Sequence, residues 1–395
     1  MAGFRGRTLK SCISLLFLIL LCAGCNAPKL SKADEAFERG EYFDAQKIYK
    51  KVYNKLSGKA DRPLRGEVAF KQGLCYERLN MAANASKAFQ NARRYDYPDS
   101  SIYLHLGKAL QGDGQYAKAK EAYETFLTFS PGNALANEGI KGCNSALLAK
   151  NQPRSRYVVK KSPLFNSPRA DYAPMYLDKN LDQLYFTTNR EKATGSNHSE
   201  ITGMKRGDIY VSRKDEQGRW RQPEPVEGGL NTDADEGIIS FSPDGQTMYL
   251  TRARRSEISN TSVEIYTSRR SDATWSEPQK FEIIADTVSA VGHPAVSPDG
   301  TYLYFCSDMP GGFGGLDIFK AKLNSTGDFW SVENLGLPLN SKGDDFGITF
   351  GAGESGFLSS NRDDGRGRDH IYSFELPDIH ITISGYVVDK DDEPV

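Results

Sequence analysis

The chain predicts a solenoid of paired helices followed by a small β-propeller, a multidomain α-then-β architecture, and three observations carry that expectation. Residues 32–150 repeat a small/large side-chain pattern every 34 residues, the period of stacked helical hairpins. Residues 155–376 repeat at a period near 50, marked by the only three tryptophans, Trp220, Trp275 and Trp330, which stand 55 residues apart twice over. The 395 residues, 38% hydrophobic and 26% charged, suffice for two compact cores. A formal net charge of -1 argues against a nucleic-acid partner, which requires an excess of Lys and Arg.

The first 24 residues read as a signal peptide. Arg5, Arg7 and Lys10 form a positive start, residues 13–21 an apolar core too short to span a bilayer, and Leu21-Cys22-Ala23-Gly24-Cys25 a small-residue cleavage site ending in cysteine. This segment resembles a bacterial lipoprotein lipobox, with Cys22 where leucine is usual. The resemblance implies that Cys25 is the acylated first residue of the mature chain, that the lipid bilayer is one partner, and that residues 25–31 form a lipidated linker. Asn26 is not the aspartate of an inner-membrane retention signal, so the implied address is the periplasmic face of the outer membrane.

In the helical half, Gly73, Tyr76, Ala85, Phe89 and Ala92 are followed 34 residues later by Gly107, Leu110, Ala119, Tyr123 and Phe126. Small residues sit where paired helices touch and aromatics fill the space between them. An earlier copy survives as Gly40, Tyr42, Ala45, Tyr49 and Val52, and residues 134–150 read as a closing helix. The pattern resembles the tetratricopeptide repeat, whose concave surface implies protein partners. Residues 151–154 form a short polar link.

In the propeller half, each unit pairs an apolar run with an acidic-aromatic phrase. The runs are Leu184-Tyr185-Phe186-Thr187, Met248-Tyr249-Leu250-Thr251, Tyr302-Leu303-Tyr304-Phe305 and Gly356-Phe357-Leu358-Ser359. The phrases open at Asp208-Ile209-Tyr210, Glu264-Ile265-Tyr266, Asp317-Ile318-Phe319 and Asp369-His370-Ile371-Tyr372, the last with one extra histidine inside it. Such runs are strand-like in composition, and Ser242-Pro243-Asp244-Gly245 and Ser297-Pro298-Asp299-Gly300 supply hairpin turns. Four-stranded units repeated around an axis make propeller blades. Four are countable, a degenerate fifth stays open, and 157–161 would supply the missing outer strand of the final blade. The equal spacing of the tryptophans suggests one packing role in every blade. These units resemble WD40-like propeller repeats that carry an SPDG turn. Beyond Pro377, residues 380–395 resemble the start of a carboxypeptidase-regulatory-like β-sandwich.

No catalytic constellation stands out. His105, His198, His293, His370 and His380 are scattered without a hydrolase or metal motif. The thiols Cys75, Cys143 and Cys306 fit no zinc or redox spacing and read as buried. Acidic loops at Asp233-Ala234-Asp235-Glu236-Gly237, Asp344-Asp345-Phe346-Gly347 and Asp363-Asp364-Gly365 could offer oxygens to Ca²⁺, but none has EF-hand spacing, and capping of strand-end amides is the expected role. Gly311-Gly312-Phe313-Gly314-Gly315 lacks the lysine of a phosphate loop and reads as a flexible hairpin. The expectation is therefore no catalytic residue, no metal and no cofactor.

Taken in order, these domains resemble the PorE-type lipoproteins of the type IX secretion system. The resemblance implies a non-enzymatic scaffold facing the periplasm, with secretion-system proteins of the outer membrane or periplasm as partners. It also implies attachment to peptidoglycan through an OmpA-like domain beyond Val395. The rival readings are a general envelope adaptor of the same build and a propeller-based hydrolase.

Overall fold

The computed structural model describes residues 27–149, 155–190, 203, 205–226, 240–254, 262–271, 274–283, 289–309, 311–324 and 329–379, and 381–382, 384–385, 389–391 and 393. Cys25 with the signal segment, the link at 151–154, His198, His380 and the loop at Asp233 to Gly237 lie outside these residues. So does most of 380–395, and the described residues there form no strand.

Seven α-helices stand among the described residues: α1 (Ala27–Glu38), α2 (Tyr42–Tyr53), α3 (Arg62–Arg78), α4 (Ala82–Arg94), α5 (Ser101–Gly112), α6 (Tyr116–Phe129) and α7 (Ala134–Ala149). Helix α1 begins inside the stretch expected to be a linker. The hairpins α1–α2, α3–α4 and α5–α6 each turn through a left-handed residue, Gly40, Asn80 or Gly114, which ends one helix and starts the next. The 34-residue pattern has a steric cause. A Cβ on Gly73 would come within 2.5 Å of the Phe89 ring, and one on Gly107 within 2.6 Å of the Tyr123 ring. Each glycine thus makes room for the aromatic that fills its repeat, with Ala85, Ala92 and Ala119 buried alongside.

Four antiparallel sheets follow. The first blade is β2 (Asp171–Tyr176), β3 (Gln183–Thr188), β4 (Asp208–Arg213) and β5 (Glu224–Pro225). The second is β6 (Ser240–Phe241), β7 (Thr247–Arg254), β8 (Ser262–Ser271) and β10 (Gln279–Lys280), with β9 (Thr274–Trp275) folded back on β8. The third is β11 (Val291–Val296), β12 (Tyr302–Ser307), β13 (Asp317–Leu323) and β14 (Phe329–Asn334). The fourth, β15 (Asp345–Phe350), β16 (Ser355–Ser360) and β17 (His370–Glu375), is completed by β1 (Val158–Lys161), which pairs Val158 with Glu375 and Lys161 with Tyr372. The fourth blade is therefore completed as the sequence predicts, with the first strand of the propeller half and the last in one sheet.

Register refines the repeat. Asp208 pairs with Thr188, Asp317 with Ser307 and His370 with Ser360, so His370 occupies the acidic position of the fourth phrase and is not an insertion. The third apolar run likewise slides by one: Leu303 and Phe305 take the buried places of Leu184 and Phe186. Three of the innermost strands, β2, β11 and β15, are bulged, each through a left-handed residue: Ala173, His293 and Gly347. A bulge removes an amide from its own ladder. The Ala173 amide donates to Ser359 Oγ at 2.8 Å and the His293 amide to Thr251 Oγ1 at 2.9 Å, both on the second strand of the neighbouring blade.

Asparagine performs the other cross-blade contact. Asn340 accepts from the Ile318 amide at 2.7 Å and donates to its carbonyl at 2.8 Å; Asn166 does the same to Ile371, at 2.7 Å in both directions. Asn166 and Asn340, each followed by a serine and leading into a blade, thus staple the incoming chain to the third strand of the blade before it. The tryptophans do not share one role. Trp220 packs against Phe165 and Tyr176, whereas Trp275 is 37% exposed with Phe241 as its ring neighbour.

Candidate functional site

The solenoid lies across one face of the ring. The described propeller loops that reach it are those between β3 and β4, between β12 and β13 and between β16 and β17, and the lead into β15, which emerge on the same side of the blades. A Cβ on Gly367, between β16 and β17, would overlap the Leu79 and Asn80 carbonyls of the α3–α4 turn, and one on Gly114 of the α5–α6 turn would lie 3.1 Å from Lys342. Gly203, between β3 and β4, sits against the Phe43 ring of α2.

The centre of this contact is the run Gly311 to Gly315. The sequence predicts a flexible hairpin here; the structure shows a packed wedge instead. Phe313 is buried in the apolar cluster of the helices, together with Leu110, Tyr116 and Cys143. Asp317 Oδ2 accepts the Phe313 amide at 2.7 Å and the Gly314 amide at 3.2 Å, which shapes the loop. Side chains at Gly312, Gly314 or Gly315 would overlap the Asp317 carboxylate, the Gly343 carbonyl or the Asp344 carboxylate. These glycines serve close approach and not flexibility: each stands where a side chain would overlap a neighbouring group.

Beside the wedge a cleft of about 300 Å³ remains between the inner helices and the loops. Glu77, His105, Lys108 and Glu138 line it from the solenoid, with Asp308, Lys342 and Asp344 from the propeller. Each of its acids holds a hydrogen bond or an ion pair, and one carboxylate oxygen, Glu138 Oε2, is buried without a hydrogen-bond partner among the described residues. A ring nitrogen of His105 lies 2.8 Å from Glu77, and Lys108 Nζ lies 3.6 Å away. Burial pushes the Glu77 carboxyl up, but the His105 hydrogen bond and nearby positive charge outweigh it, so the group titrates below its ordinary value. Asp344 accepts the Leu316 amide and Asn361 Nδ2, each at 2.8 Å, Asp308 accepts the Ala290 amide at 2.7 Å, and Glu138 pairs with Lys141 at 2.9 Å.

The remaining titratable groups are structural in geometry. Asp171 meets Arg190 at 2.7 Å and Asp345 meets Arg362 at 2.6 Å, both carboxylates fully buried and also accepting from Ser167 or Ser341. In the third blade the same two positions are Val291 and Met309, packed in one apolar cluster. Asp364 accepts the Arg366 amide and meets His370 at 3.1 Å. The described acidic loops thus cap amides and neutralise arginines, and no group of three or more potential ligands among the described residues is placed to hold a metal. His293 packs 4.7 Å from the Phe346 ring, and burial pulls its pKa down to about 4. Burial also pushes the thiols up, Cys75 to about 12, Cys143 to about 11 and Cys306 further still, so none is a thiolate nucleophile at neutral pH. The sequence signal for the asparagine staples and the aspartate–arginine pairs is the Asn-Ser pair that leads into a blade, Asn166-Ser167 and Asn340-Ser341, four residues ahead of Asp171 and Asp345 at the serine.

The family model described as tetratricopeptide repeat matches residues 67–100 and 102–132. The N-terminal helices are tetratricopeptide repeats. A search of curated proteins finds no match. Among solved structures, the first tetratricopeptide domain of Spaghetti (RPAP3) bound to an HSP90 peptide is 24% identical, covering 31% of this chain and 92% of its own at a TM-score of 0.27. An α-L-arabinofuranosidase from Lactobacillus brevis is 16% identical over 59% of this chain and 78% of its own, TM-score 0.27. Another from Clostridium thermocellum is 16% identical over 54% and 71%, TM-score 0.28. Overlaps this partial say nothing about activity.

Proposed function

We propose that the chain is a non-enzymatic scaffold that holds partner proteins at the cell envelope. One observation carries the reading: the helical repeats are clamped across the loop face of the propeller at backbone contact, over a cleft in which each acid already holds a hydrogen bond or an ion pair. A catalytic propeller needs that face open and a pair of free carboxylates or an activated nucleophile within it. Here the asset left is outer surface, on helical repeats and on blades. The groove expected as a docking site is in part filled by Phe313, so partners engage the convex helices or the blades' outer sides. The finer reading follows the lipobox and the order of domains: acylation at Cys25, residence on the periplasmic side of the outer membrane, service to a secretion machine of the type IX kind, and attachment to peptidoglycan through a further domain.

The test is cross-linking of the full-length chain in membranes, followed by purification and mapping of the cross-linked residues. The expected result is a reproducible set of envelope proteins joined through convex or outer-blade residues. A glycan, peptide or ester hydrolase activity of the purified chain that disappears in Glu77→Gln or Asp344→Asn would replace the scaffold with an enzyme.

A further inference from the structure

We infer that the edge of the solenoid opposite the propeller is a seat for an anionic phospholipid surface. The inference rests on the proposed acylation of Cys25 for its orientation, but its charge argument stands on the helices alone.

Consecutive helices run antiparallel, so the start of α1, the end of α2, the start of α3 and the end of α4 share one edge. Contacts confirm that grouping: Arg62 meets Asp96 at 2.7 Å across the α3–α4 hairpin, and the rings of Tyr53 and Tyr95 lie 6.3 Å apart with the Arg65 guanidinium over both. Every contact between helical turns and propeller loops described above, at Phe43, Leu79, Asn80 and Gly114, falls on the other edge. Ala27, where α1 begins, is two residues from Cys25, a span of at most about 7 Å of extended chain. An acyl chain on Cys25 therefore holds this edge against the bilayer and the propeller away from it.

The charge follows the same polarity. Segments 26–33 and 45–60 contain no Asp or Glu, and Lys29, Lys32, Lys50, Lys51, Lys55 and Lys59 are all exposed there. The acids of the first hairpin, Asp34, Glu35, Glu38, Glu41 and Asp44, lie towards its turn. Further along the edge the carboxylates have local partners: Asp61 accepts the Ser57 and Gly58 amides, Glu67 meets Lys71, Asp96 meets Arg62, and Asp99 accepts the Ser101 amide. A chain with net charge -1 thus gathers exposed lysine, in segments that contain no acid, on the one edge where its anchor would leave. Lysines within a Debye length of an anionic leaflet are each attracted to it, while zwitterionic lipid offers no such field. The acyl chains would supply the affinity and the lysine edge the orientation.

The experiment uses the mature chain from residue 26, lacking the acylated cysteine, sedimented with vesicles of phosphatidylcholine alone or with about one third phosphatidylglycerol. Binding is expected on the anionic vesicles alone, and to fall steeply at about 0.5 M salt. Lys50→Gln, Lys51→Gln and Lys55→Gln together should weaken it roughly a hundredfold, at about fivefold per lysine. Removing Lys118, Lys179 and Lys390 in the same way, each exposed elsewhere, should leave it unchanged. Equal binding to both vesicle types, equal loss in the two triple variants, or preference for duplex DNA over vesicles at matched phosphate would overturn the inference. Fatty-acid labelling of the full-length chain separates the two claims. Vesicle binding without label on Cys25 removes the anchor and keeps the seat, and label without vesicle binding does the reverse.

Discussion

A Cβ placed on Gly142 of helix α7 would lie 3.2 Å from the carbonyl oxygen of Gly312 in the third blade. Helix and propeller loop meet at backbone distance, with Phe313 inserted beside them into the helical cluster. Removing that side chain leaves a cavity in the contact, so Phe313→Ala should cost about 3 to 5 kcal/mol. The readout is favourable because all three tryptophans lie in the propeller, so fluorescence follows the blades and helical circular dichroism the solenoid. The wild type should unfold in one transition by both probes, and Phe313→Ala should separate them. Coincident transitions in the variant, with a loss under about 0.5 kcal/mol, would mean the two halves are not coupled through this wedge.

The third blade shows what the ion pairs are worth. Asp345 and Arg362 are buried together in the fourth blade, while Val291 and Met309 fill the same positions in the third. Breaking a buried pair strands a charge, whereas replacing both partners with apolar groups need not be costly. Arg362→Met alone should therefore cost about 3 to 5 kcal/mol, and adding Asp345→Val should recover about 2 kcal/mol or more of it. Additive losses in a denaturant double-mutant cycle would show that the two side chains act separately.

The tryptophans differ in setting, and their substitution should show it. Trp220 packs between Phe165, Tyr176 and the Lys214 ammonium, which lies 4.9 Å from the ring centroid. Trp275 faces solvent over more than a third of its surface, and its ring neighbour Phe241 is exposed too. Trp220→Ala should cost about 3 kcal/mol and Trp275→Ala less than about 1 kcal/mol, measured by denaturant unfolding. Equal losses would restore the common packing role that their spacing suggests.

Periodicity made the architecture legible, because helical hairpins and blades bury repeated faces and must repeat the residues that fill them. Gly73 with Phe89 and Gly107 with Tyr123 show the link: a steric pair was visible as a spacing. Completion of the fourth blade through 157–161 was legible for a similar reason, since the last unit lacked an outer strand. What the sequence hid were relationships between repeats. His370 read as an insertion because identity, and not strand register, set the alignment. The wedge at Phe313 read as flexible because glycine that permits motion and glycine that permits contact look alike in a sequence. The occupied groove was invisible for the same reason: nothing local marks which loop will meet which helix.

Two buried groups give stability opposite pH dependences. His293 has its pKa pulled down to about 4 by burial, so the unfolded chain binds its proton first; the stability it contributes is present above the ordinary value near 6.5 and is lost as pH falls towards about 4. His293→Asn should flatten that acid limb, since asparagine tolerates the left-handed backbone there. Asp317 is the converse. Burial raises its carboxyl well above the usual carboxylate range, aided by the Asp345 charge, while Oδ1 has no hydrogen-bond partner among the described residues. The folded state then holds a proton that the unfolded chain has released, so its contribution is full below the ordinary value near 3.8 and declines as pH rises. Asp317→Asn keeps an oxygen for the Phe313 and Gly314 amides and carries no charge to bury. It should raise the denaturation midpoint at pH 8 relative to the wild type and show little or no gain near pH 4. A variant less stable than the wild type at pH 8 would mean that Asp317 is ionised in the folded protein and that its charge helps hold the wedge.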